Sequence, residues 1–93
     1  MIKSFRDSET AKIWRREFSK RLPRDIQERA LRKLQQLNAA SDLKDLSFPS
    51  SNMLEALKGD RKSEYSIRVN KQWRICFRWS AGHASNVSII DYH

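Results

Sequence analysis

Tyr65-Ser-Ile-Arg-Val69, followed after three residues by Trp73-Arg-Ile-Cys-Phe-Arg-Trp79, decides the fold. In both segments apolar residues take every second position: Tyr65, Ile67 and Val69, then Trp73, Ile75, Phe77 and Trp79. A period of two marks a strand with one buried face. Val87 and Ile89 belong to a last strand, and Ala81-Gly82-His83 connects it to the one before. Short connections make an antiparallel meander the economical topology. The intervening positions hold Arg68, Arg74 and Arg78, so the second face is expected to be open, meeting solvent or a ligand. Three arginines clustered on one sheet face form a bed suited to phosphate. Cys76 lies inside a strand with no histidine near it in sequence and reads as a packing residue.

Upstream of these strands the period changes to that of a helix. Ile2 to Phe5 is a short extended stretch, after which Asp7 and Ser8 offer side-chain oxygens for capping a helix. Ala11, Trp14 and Phe18 then form an apolar stripe, with Lys12, Arg15, Arg16 and Lys20 turned away. Pro23 opens a second helix, where its missing N–H is not needed. Ile26, Ala30, Leu34 and Leu37 carry that helix to a stop expected at Asn38. Asp42 to Leu46 allows one further short turn, and Ser47-Phe-Pro-Ser-Ser51 is loop chemistry. The expected fold class is therefore α+β: two N-terminal helices packed on a twisted, mainly antiparallel sheet, in a single domain spanning 1–93.

Charge narrows the range of partners. Nineteen Lys and Arg against eleven Asp and Glu leave a net charge of +8. A domain this basic attracts polyanions, nucleic acid first among them. The excess is spread along the chain, with 12 basic and 7 acidic residues in 1–46 and 7 and 4 in 47–93, so it is not a detachable tail. A lone cysteine forms no internal disulfide, no stretch of about 18 apolar residues is present to span a membrane, and residues 1–30 lack an apolar signal run. These features predict a cytoplasmic protein without a membrane partner.

Four segments in order carry a more specific likeness. Leu54-Glu-Ala-Leu-Lys-Gly-Asp-Arg61 precedes Tyr65-Ser-Ile-Arg-Val69, then Gln72-Trp-Arg-Ile-Cys-Phe77, and the sequence closes on Ile90-Asp-Tyr-His93. Together with the opening Met1-Ile-Lys-Ser-Phe5, the chain resembles the HigB-type toxins of the RelE/ParE superfamily along essentially its whole length. The resemblance implies a toxin that cuts messenger RNA in the ribosomal A site without metal or other cofactor. It also implies a cognate helix-turn-helix antitoxin, with operator DNA reached only through the toxin–antitoxin complex. Two alternatives remain: a catalytically weak basic module acting with its antitoxin in operon repression, and a ParE-like gyrase poison.

Metal-free cleavage uses the 2′-OH as nucleophile and needs a base, an acid for the departing 5′ oxygen, and cations for the phosphorane. His93 is the acid–base candidate, since an unperturbed imidazole titrates near ~6.5. Asp91 is expected to orient or charge-balance it, and Tyr92 to stack on a base or donate a hydrogen bond. Strict alternation would put Asp91 and His93 on the side of Val87 and Ile89, so the assignment requires a bulge or a loosened end near Ile90 to re-aim them. Lys58, in a polar turn, and Arg74, on the open face, match family positions that contact phosphate. Arg68 and Arg78 join them as candidate RNA-binding residues. Glu55 stands where some relatives carry histidine; a carboxylate, with an unperturbed pKa near ~4.3, is a weak base at neutral pH unless desolvated.

Overall fold

The computed structural model describes residues 1–58 and 63–92. Two helices, α1 (Ser8–Trp14) and α2 (Arg24–Ala39), cover one face of a four-stranded sheet. Its strands are β1 (Glu55–Ala56), β2 (Glu64–Arg68), β3 (Trp73–Ser80) and β4 (His83–Asp91), paired antiparallel in sequence order. The N-terminal segment adds parallel bridges on the outer edge of β4, Ile2 to Ala84 and Phe5 to Val87. The architecture is the expected α+β one, with the sheet mainly antiparallel.

Asp7 caps α1, its Oδ1 accepting from the Thr10 N–H at 2.7 Å. Thr10 is buried, and its hydroxyl accepts the Ile89 N–H at 3.0 Å, fastening the start of the helix to β4. The expected stripe fails beyond Trp14. Arg16 adopts a left-handed conformation (φ 65°), so Phe18 lies past the helix and is 60% exposed. The inward face of α1 is instead Thr10 and Ile13. In α2, Ile26, Ala30, Leu34 and Leu37 are all buried, as their spacing demands. Asn38 does not stop this helix. It stays inside, and its side-chain oxygen accepts the Ile2 N–H at 2.9 Å. Asp42 and Asp45 close a reciprocal capping box around the 3-10 turn Leu43–Ser47.

The core joins the α2 residues to Ile67, Ile75, Phe77, Val87 and Ile89 on the helix side of the sheet. Leu34 is fully buried there. Leu34→Ala is expected to cost about 2–5 kcal/mol, from the apolar surface no longer buried and the cavity left behind. Urea unfolding checks it, and a loss inside the ±0.5 kcal/mol of a surface change would mean α2 is not seated as described.

Two backbone features set the sheet's far end. The β3–β4 connection is a two-residue turn, Ala81 (φ 52°) and Gly82 (φ 78°), both left-handed as a tight hairpin requires. His83 is accordingly the first residue of β4, opposite Ser80, rather than part of the turn. Cys76 pairs with Ser88 while Arg78 pairs with Ser85, so β4 carries one extra residue opposite Phe77. Asn86 supplies the left-handed step there (φ 54°), and the buried positions of β4 consequently run Ala84, Val87, Ile89.

Candidate active site and RNA interface

Residues at paired positions of a sheet point to the same side, so the register defines the face away from the helices. One row across it is Glu55, Ser66, Cys76 and Ser88; the next is Arg68, Arg74 and Ile90. Cys76 is buried in the first row, in keeping with a packing role.

Arg74 overturns the expectation of an open arginine. It is only 7% exposed. Its Nε donates to the Ser66 hydroxyl at 2.8 Å, and its Nη2 donates to the Met53 and Ser66 carbonyls. Burial of a guanidinium is tolerable because these acceptors replace water. The Met53 carbonyl is presented from a left-handed residue (φ 45°) in the loop before β1. The Nη1 group has no hydrogen-bond partner among the described residues. The Tyr92 ring lies 5.8 Å from the guanidinium carbon and covers it from the end of β4.

The three arginines share a face, yet not one bed. Arg68 stands directly opposite Arg74, half-buried, its Nε donating to the Asn70 carbonyl at 3.0 Å. Arg78 is exposed and pairs with Glu64 instead, at the other end of β2. The compact cationic unit is therefore Arg68 with Arg74.

No irregularity occurs near Ile90. The register runs through Arg74 to Ile90 and Trp73 to Asp91, and the bulge is at Asn86, before the expected place. Asp91 stays on the Trp73 side, where its Oδ2 accepts from the Gln72 side chain at 3.1 Å. Tyr92 falls on the Arg74 side, its backbone N–H donating to the Gln72 carbonyl at 2.6 Å. Glu55 is exposed, beside the Ser66 that anchors Arg74. Lys58 is exposed just past β1. His93 and the Gly59-Asp60-Arg61 part of the turn lie outside the described residues. The structure thus gathers Arg74, Arg68, Tyr92 and Glu55 on one face, with Arg78 at the far end of that face and Asp91 on the other side of the sheet.

Sequence reasoning missed Ser66 and Met53. Ser66 had a usable signal, a small polar residue flanked by core positions in Tyr65-Ser-Ile67. Met53 had none, since its role rests on a backbone carbonyl.

Comparison with solved structures bears on the fold. The fold matches the YoeB-YefM complex from Staphylococcus aureus over 100% of this chain and 98% of that one, at a TM-score of 0.55 and 17% identity. The family assignment comes from sequence: residues 3–93 match the HigB-like toxins, described as RelE-like toxins of type II toxin–antitoxin systems, and the chain belongs to that family. Among relatives, Toxin HigB-1 of Vibrio cholerae is 43% identical over 77% of this chain and 75% of its own length. Endoribonuclease HigB of Proteus vulgaris is 31% identical over the full length of both. Among the described residues, no helix is long and apolar enough to cross a membrane.

Proposed function

We propose that this chain is a cytoplasmic, ribosome-dependent endoribonuclease that cuts messenger RNA by attack of the 2′-OH and is silenced by a cognate antitoxin. The observation that supports it best is the anchored Arg74, buried beside Tyr92 and fixed by Ser66 and Met53. An immobilised guanidinium stabilises a phosphorane without having to reorganise as charge develops.

In the reaction the 2′ oxygen bonds to phosphorus as its proton passes to a base, and the P–O5′ bond breaks as the leaving oxygen takes a proton. The products are a cyclic 2′,3′-phosphate and a 5′-hydroxyl. His93 is assigned the acid, Glu55 the base, Arg74 and Lys58 the phosphate, and Tyr92 the stacking surface for a base. Asp91 acts from the neighbouring side as a charge balance for His93, with Gln72 holding its carboxylate. Arg68, paired with Arg74 across β2 and β3, is assigned a share of the anion. Arg78 serves at most an outlying phosphate. The antitoxin is a helix-turn-helix protein, and the toxin meets operator DNA only through that complex.

Induction of the chain alone in a bacterium tests this reading. Translation is expected to stop before DNA synthesis, with messages cut within codons on the ribosome. Arrest of DNA synthesis first, with intact messages and gyrase-linked breaks, would replace it with gyrase poisoning.

A further inference from the structure

A concave feature lies beyond the Arg68–Arg74 pair. A cleft of about 640 Å³ separates α2 from the end of β2 and the β2–β3 turn. Its walls carry Arg29, Arg32 and Lys33 from α2, and Arg68, Asn70 and Lys71 from the other side. Five of these are cations, and no carboxylate lines the cleft among the described residues. The three helix cations share a face because positions three and four apart lie one above the other. Burial and the charges of Arg29 and Arg32 hold the Lys33 ammonium below the ordinary lysine range. The Arg32 guanidinium is 3.9 Å from Glu28, an exposed contact worth little in water.

We propose that this cleft is a second RNA-backbone site, taking phosphodiesters beyond the one held at Arg74. Arg68 belongs to both: it lines the cleft, and it faces Arg74 across β2 and β3. A strand with its scissile phosphate at Arg74 reaches the cleft by passing Arg68. The volume falls within the ~300–1,000 Å³ of ordinary ligand pockets and leaves room past a single phosphate. The lining does not suit the apolar or aromatic anchor of a protein partner, since such anchors sit in interface cores poor in charge. Here Val69 is the one apolar residue lining the cleft among those described. The site rests on the RNA-cleaving reading above and names where flanking or ribosomal RNA is gripped.

The test uses the intact chain and an Arg32→Gln, Lys71→Gln double variant, both positions being exposed. One probe is a fluorescent single-stranded RNA fully 2′-O-methylated against cleavage; the other is message-free ribosomes. Affinity for RNA is expected to fall about tenfold or more, and the log–log salt slope by about 1.4, ~0.7 for each phosphate no longer neutralised. Loss with the oligonucleotide assigns the cleft to the message, and loss with ribosomes alone assigns it to ribosomal RNA. Wild-type binding to either probe with an unaffected variant overturns the cleft but not the enzyme. Unchanged RNA binding with weakened antitoxin capture overturns it in favour of an acidic protein surface. A wild-type chain that binds neither probe removes both readings. Circular dichroism confirms that the variant is folded.

Discussion

Arg74→Ala is expected to lower cleavage of a ribosome-bound message by about 10²–10³-fold, the usual consequence of removing a fixed donor from a developing oxyanion. The effect should fall on kcat more than on ribosome binding, since one guanidinium among 19 basic residues contributes little to long-range attraction. Arg74 is also structural: its loss strands the buried Ser66 hydroxyl, at about 1–3 kcal/mol, and frees the exposed Met53 loop from its anchor. Stability must therefore be measured beside activity. Arg74→Lys separates the two roles, because it keeps the charge but not the fork that reaches Ser66, Met53 and a phosphate together. Cleavage within about threefold of wild type in a folded Arg74→Ala variant, far short of the loss expected of an oxyanion donor, would make the buried arginine a packing device.

His93→Ala is expected to have a larger effect, lowering cleavage by about 10²–10⁴-fold, the contribution of a positioned general acid or base. Ribosome and antitoxin binding should persist, because the cationic face and both helices remain. Single-turnover cleavage at matched ribosome occupancy measures it, with circular dichroism as the folding control. Equal rates would remove His93 as the acid and leave Glu55 and Lys58 to be tested in its place.

The three longer strands and α2 are legible in the sequence because their periods are local properties, whereas the two-residue β1 is too short to show one. Ile26, Ala30, Leu34 and Leu37 declare a helix face without help from elsewhere. The end of α1 is not legible. No glycine or proline directly follows Trp14, and the left-handed turn at Arg16 breaks a stripe that sequence extends to Phe18. The burial of Arg74 is hidden because alternation tells which side a residue faces and nothing about what covers that side. Its cover comes from Met53, 21 residues away, and from Tyr92. The four quoted motifs name the candidate site almost completely, but its division between two sheet faces depends on register. The cationic cleft is invisible in sequence because α2 and the β2–β3 turn meet only in three dimensions.

The extra residue at Asn86 has a consequence for how this sequence can change. From that point to Tyr92, each side chain's direction is fixed by counting, odd positions toward the helices and even positions toward Arg74. The segment therefore has a parity, as a reading frame has a phase. Substitution leaves parity intact, so the residues between can vary in kind while Tyr92 still meets the guanidinium. Removing or adding one residue reverses it, sending the ring into the core and the carboxylate of Asp91 onto the cationic side. Length, more than composition, is what the last strand has to keep.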